Sequence, residues 1–289
     1  MGACRRRGGW QAQRRDSSVD AFICTTCGTQ YAPAEAEPAQ CVICHDERQF
    51  VLPSGQAWTT LRKLRRSHMT AFRQEGEFIG IGAVPQVGIG QRALLVRTPA
   101  GNVLWDCIAL IDSSTIELID GLGGLAAIAI SHPHYYTAMV EWSRAFGDVP
   151  VYLNAADREW VMRPDPCISF WEGDAREVLP GLTLLRAGGH FEGGAVLHVA
   201  EAAGGRGAIL SGDVLQVVPD GRHVAFMRSY PNFIPLGAAS VRSLAARIGA
   251  WSYDAIYGAW WDRVIPAEAE AAMARSVARH IHWLGRDDI

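Results

Sequence analysis

From residue 80 onward, apolar positions fall in short runs separated by glycine-rich turns, with a few stretches of helical periodicity between them. The segment ALLVRTPAGNVLWDCIALID (93–112) has two apolar runs around a Pro-Ala-Gly-Asn turn, which predicts a hairpin with one well-buried strand. IELIDGLGG (116–124) reads as a short helix ended by glycine, LAAIAIS (125–131) as a buried strand, TAMVEWSRAFG (137–147) as an amphipathic helix closed by Gly147, and VPVYLN (149–154) as another strand. Three short apolar strands follow in LTLLRAGG, AVLHVA and GAILSGD. A helix over SVRSLAARIGAW, a strand in DAIYGAW and a long final helix over AEAEAAMARSVARHIHWL complete the pattern. This alternation predicts a layered α/β domain over 80–289, without a fixed-period repeat.

The upstream chain has a different texture. Residues 1–20 lack periodicity and cluster Arg with Gly and Ser, so they read as a flexible tail. Residues 21–55 hold two cysteine pairs. Residues 56–79 are mostly polar, with Leu61, Leu64 and Met69 near helical spacing, and read as a linker containing a helix.

Composition narrows the class. At 289 residues, 49% hydrophobic and 20% charged, the chain is of ordinary globular make-up, which excludes disordered and collagen-like proteins. A net charge of −3 gives no reason to expect a nucleic acid or an anionic membrane as partner. No apolar run approaches the roughly 18 residues of a membrane span, and the first twenty residues carry no apolar stretch, so a soluble cytoplasmic protein acting on a small molecule is expected. The sequence permits an oligomer and specifies none.

Cys24 and Cys27, followed by Gly28, are separated by thirteen residues from Cys41 and Cys44. Each C-x-x-C aims two sulfurs from one tight turn at a common centre, and two such turns make a tetrahedral four-sulfur cage. Gly28 lets the backbone bend there. Cys4, Cys107 and Cys167 have no such partners and read as buried or incidental. The stretch ICTTCGTQYAPAEAEPAQCVICHDERQFV resembles the rubredoxin-like knuckle of rubrerythrins in its spacing, in Gly28, in the aromatic Tyr31 and in the proline before the second pair. Zinc would make it a structural staple and iron would permit electron transfer; the residues fit either. The cage is complete without His45, which reads as a surface residue.

The second candidate site is built on histidine. The strand LAAIAIS runs into His132-Pro133-His134, at a strand's carboxyl end, where α/β sheets usually carry their sites. His190 sits in the glycine-rich turn GGHFEGG after another strand, and Asp213 ends a third. In that order these pieces resemble the metallo-β-lactamase superfamily, and the resemblance runs from about residue 80 to 284. It implies an αββα sandwich, preceded here by the knuckle, with Asp106 in the position of a structural aspartate. It also implies His132, His134 and His190 as metal ligands, with Asp213 matching the carboxylate that usually bridges two metals. The family's HxHxDH motif continues with Asp and His, whereas this chain has Tyr136 and Thr137, and Ala259 and Trp260 stand where a last histidine is expected. These departures all fall on the second metal.

The expectation is therefore a metallo-hydrolase with one cation, zinc first and iron second, that lowers the pKa of a bound water and attacks a small ester, lactone, thioester or amide. Asp213 would be a ligand or proton acceptor, and Tyr136, or Tyr135 in its place, would stabilise developing charge. The segment VVPDGRHVAFMRSYPNFIPL (217–236) is expected to cross the mouth of the site, making His223, Arg228 and Tyr230 candidate substrate contacts. Tyr135 is a further one. Glu192, beside His190, is a candidate hydrogen-bond partner for it, while His68, His198, His280 and His282 are not expected to be ligands. A mononuclear iron oxidoreductase and a non-catalytic binding protein remain alternatives.

Overall fold

The computed structural model describes Val19 to Arg286; the first eighteen residues, with Cys4 and nearly all of the tail expected over 1–20, lie outside it. Two sheets dominate. The first has seven strands in chain order, Met69–Glu75, Phe78–Val84, Ala93–Thr98, Gly101–Trp105, Ala127–Ala129, Val151–Asn154 and Ile168–Trp171. The first four pair antiparallel, and pairing is parallel from Gly101–Trp105 onward. The second sheet orders Ala175–Leu179, Leu182–Arg186, Ala195–Val199, Ala208–Gly212, Ala255–Gly258 and Val264–Ile265.

Side-chain alternation explains the layering. Leu94, Val96, Val103 and Trp105 face Leu184, Leu197 and Leu210 between the sheets, while Leu95, Leu104 and Ile128 pack with Ile119, Met139 and Trp142 of the helices Ser113–Gly121 and Met139–Ala145. On the far side, Leu185, Val196 and Ile209 meet Leu244 and Met273 of the helices Ala238–Ile248 and Ala269–Leu284. Strands covered on both faces need apolar residues at every position, which is why LAAIAIS and GAILSGD are continuous runs rather than alternating ones. The expected αββα sandwich is present. Both strands of the 93–105 hairpin are buried, rather than the one expected.

The first sheet begins at Met69, inside the stretch read as linker. The helix there spans only Leu61–Ser67, and Met69 opens a strand instead of extending it. Met69–Glu75 is an outer strand with most positions partly open to solvent, so its polar texture hid it. Upstream, Phe22–Cys24 pairs antiparallel with Trp58–Thr60, closing the cysteine segment on itself. Ile23, Leu61 and Leu64 join the same apolar cluster as Ile81, Leu104 and Trp142, so this segment packs directly on the sandwich. Among the described residues no helix is long and apolar enough to cross a membrane.

Candidate metal centre

His132 lies just beyond the strand Ala127–Ala129, where the chain turns into a short 3-10 helix over Pro133–Tyr135 that brings His134 to the same side. Asp213 follows the strand Ala208–Gly212 of the other sheet, and His190 sits in the turn between Leu182–Arg186 and Ala195–Val199. The ligand atoms of these four buried residues all lie within 4.8 Å of one another. His132 Nε2 is 2.9 Å and His190 Nε2 3.5 Å from Asp213 Oδ1. None of these atoms is aligned for a hydrogen bond, and the buried Nε2 of His134 has no partner either. Each unmet buried polar atom costs about 1–3 kcal/mol, so four aimed at one point fit a shared cation far better than four separate defects.

Supporting groups fix the histidine tautomer. Asp106, held at a φ of +60°, accepts from Ser131 N at 2.8 Å and from Ser131 Oγ at 2.7 Å. Because Ser131 Oγ spends its proton on Asp106, it can only accept from His132 Nδ1, 2.8 Å away, leaving the Nε2 lone pair free to ligate. Gly212 makes this approach possible. Its φ is +54°, and a Cβ there would lie 2.5 Å from Ser131 Oγ.

Electrostatics agree with a cation site. Burial drives His190 down to about 3 and His134 well below the usual imidazole range, so both are neutral at physiological pH. For Asp213 burial works to raise the pKa, but the neighbouring imidazoles outweigh it and hold the carboxyl below its ordinary range. Burial lifts Asp106 to about 6 against the hydrogen bonds from Ser131.

No further His, Cys, Asp or Glu joins the cluster among the described residues. Its other neighbours are aromatic: the Tyr135 ring is 4.5 Å from that of His132, and Trp260 lies 6.5 Å beyond Tyr135. Neither Tyr136, expected to serve catalysis, nor Tyr135, a candidate substrate contact, lines the cavity: both side chains are buried in the helix-side core, and of the two it is Tyr135 that lies beside Asp213. Along a 3-10 turn successive side chains point about a third of a turn apart, so spacing alone does not choose between neighbouring tyrosines.

The cluster opens into a cavity of about 380 Å³, lined by Arg228 and Tyr230 together with Gln216, Phe50, Ile89 and Trp260. His223 does not line it and pairs with Asp220 at 2.7 Å. Glu192 is exposed and bonds Arg186 at 3.1 Å, so it is no partner for the His190 ring. His68, His198 and His280 bond Ser67, Ser252 and Leu236, away from the centre.

Arg48 and Gln49, from the cysteine segment, also line this cavity and were missed. No sequence signal marks them, and only the docking of the segment reveals their place. The four cysteines themselves are buried and free, with Sγ separations of 3.6 Å for both Cys24–Cys44 and Cys27–Cys41. That is far beyond a disulfide's roughly 2.05 Å and close to the ~3.8 Å edge of a tetrahedron with 2.3 Å metal–sulfur bonds. Gln56 Nε2 donates to Cys24 Sγ at 3.1 Å, and Thr29 Oγ1 is 3.3 Å from Cys27 Sγ.

Compared with known proteins, the chain matches no family model. It is 43% identical over 269 residues to the uncharacterized protein YmaE of Bacillus subtilis (strain 168), covering 92% of this chain and 97% of YmaE. The chain belongs to the YmaE family. Among solved structures it is similar to the DIM-1 metallo-β-lactamase, at TM-score 0.54 and 10% identity over 74% of this chain and 97% of that one. It is also similar to the metallo-β-lactamase FIM-1 from Pseudomonas aeruginosa in its mono-zinc form, at TM-score 0.52 and 14% identity over 73% and 95%. At such identities the likeness speaks for the fold alone, and the fold of this YmaE relative is that of the metallo-β-lactamase superfamily.

Proposed function

We propose that this protein is a metal-dependent hydrolase with a single catalytic cation, cleaving a small ester, lactone, thioester or amide. The observation that carries this reading is the convergence of four buried, unpartnered ligand atoms at the floor of an apolar-walled cavity, with no second set of ligands beside them among the described residues. His132, His134, His190 and Asp213 would hold the cation. When bound, it supplies Lewis acidity and lowers the pKa of a coordinated water towards 7. Zinc suits three imidazoles and a carboxylate, and FIM-1, of the same fold, is described with one zinc. Iron is the second choice. The cysteine site takes zinc or iron on the same grounds.

The chain's own groups complete the chemistry. Asp213, held ionised by the neighbouring imidazoles, would accept a hydrogen bond from the attacking water and orient it. Arg228 and Arg48 face the cavity already paired, with Glu47 at 3.0 Å and Asp46 at 2.8 Å. With both cations neutralised and Phe50, Ile89, Pro231 and Trp260 on the walls, the cavity suits an uncharged acyl group. Tyr230 shapes the mouth, its hydroxyl donating to Ala225 O at 3.0 Å. The buried thiols fit a reducing compartment, the cytoplasm.

The test is metal content by mass spectrometry, with hydrolysis of matched neutral and carboxylated acyl esters, lactones and thioesters, for wild type and His132→Ala/His134→Ala. Two bound metals, one lost in the variant together with neutral-ester hydrolysis, is the expected result. Hydrolysis that survives in the variant would sink the reading, and iron at this site with no hydrolysis would move it to oxidoreduction.

A further inference from the structure

The end of the cysteine segment reaches into the histidine centre. Arg48, just past Cys44, is buried, and its Nη1 donates to the main-chain oxygen of His190 at 2.9 Å. Its Nη2 donates to Asp46 at 2.8 Å, and its guanidinium lies 3.9 Å over the Phe191 ring and 4.8 Å from that of Trp160. Arg228 donates to the same His190 oxygen at 3.4 Å. Residues 47–49 are themselves gripped: Ser229 Oγ donates to Arg48 O at 3.0 Å, and Asn232 Nδ2 donates to Glu47 O and Gln49 O at 2.9 Å each. On the other side, Gln30 N donates to Thr137 O at 3.3 Å, bracing the turn that follows His134. Two of the loops that supply histidines therefore bear on the segment that the cysteines close.

The cysteine segment has little core of its own. Beyond the four sulfurs, its local cluster has Ile43 as the one other buried apolar side chain among the described residues. A segment this small owes its order to whatever the sulfurs hold.

We propose that the four-cysteine site is a conformational effector of the histidine centre, with Arg48 as the residue that positions His190. With the sulfurs bridged by a cation, residues 46–49 are fixed and the His190 loop is clamped in its ligating geometry. Without it the loop loosens and the histidine centre holds its own cation less tightly. By linkage, filling the histidine centre tightens the cysteine site by the same factor. This rests on reading His132, His134, His190 and Asp213 as a metal centre.

The test uses the full chain titrated with Co(II), whose thiolate charge-transfer absorption reports the cysteine site separately from the histidine site's weaker visible bands, with affinities from chelator competition. Arg48→Ala is expected to leave the thiolate absorption intact and to weaken the histidine site by ~10–100-fold, the usual size of a lost supporting contact. Arg48→Lys is expected to recover part of that loss. Cys24→Ser/Cys27→Ser is expected to weaken the histidine site as well as abolish the thiolate bands, and Asn232→Ala gives a milder form of the same effect if that variant does not fold. Wild-type affinity at the histidine site in Arg48→Ala would overturn the proposal. If wild type binds cobalt at the cysteines alone, the metal-centre reading itself fails, and that outcome is distinct from loss of coupling.

Discussion

Ser131→Ala isolates the group that sets the His132 tautomer. Removing Oγ takes away one of the two hydrogen bonds that Asp106 Oδ1 accepts from Ser131 and leaves His132 Nδ1 without its partner, all in a fully buried setting. An orphaned buried donor costs about 1–3 kcal/mol, and the lost bond to a carboxylate about 1.5–3 kcal/mol, so the metal-depleted protein is expected to lose roughly 2.5–6 kcal/mol of stability. The imidazole is then free to rotate or to carry its proton on Nε2, which removes a ligand. Affinity at the histidine site is expected to fall ~10–100-fold, equivalent to about 1.4–2.8 kcal/mol. Chelator competition at pH 7 measures the affinity, and denaturant unfolding of the metal-depleted protein measures the stability. An affinity within about twofold of wild type would refute the argument, because rigid backbone alone would then be orienting His132.

Other consequences are open to measurement. Gly212→Ala places a Cβ 2.5 Å from Ser131 Oγ on a residue whose φ is +54°, and a loss of roughly 2–5 kcal/mol with release of the histidine-site metal is expected in thermal melts and metal analysis. Gly88→Ala sets a Cβ 2.8 Å from Gly28 N and 2.9 Å from Cys27 C, and should speed hydrogen exchange across residues 22–45 while leaving the 93–105 hairpin protected. In metal-depleted protein, His190 titrates near 3 when folded against 6.5 for a free imidazole. Its depressed pKa contributes stability that is fully present above pH 6.5 and is lost as pH falls towards 3, so denaturant midpoints should drop over that window, and less so in His190→Gln. Glu47→Gln leaves Arg228 without its carboxylate partner and should raise kcat/KM for a carboxylated ester relative to its neutral counterpart by about tenfold.

Much of this architecture was legible along the chain. Continuous apolar runs such as LAAIAIS and GAILSGD announced strands covered on both faces, because only residues buried on both sides of a sheet dispense with polar positions. Each C-x-x-C marked the first candidate centre, because thiolate ligands repeat in tight local turns, and the ordered series His132, His134, His190 and Asp213 marked the second through its resemblance to the metallo-β-lactamase superfamily. What the sequence could not decide were facts of direction and docking. The outer strand Met69–Glu75 looked like linker, since a half-exposed edge carries mixed residues. Tyr135 and Tyr136 are both buried but face different groups, the first Asp213 and the second Asp157, because a single step along a turn redirects the side chain. Arg48 and Gln49 carried no sequence signal and became part of the cavity wall only when the cysteine segment folded back over His190. Local patterns reflect what a residue needs from its own strand or turn, whereas the partner of a long polar side chain is chosen by contacts more than a hundred residues away, which only the folded chain brings together.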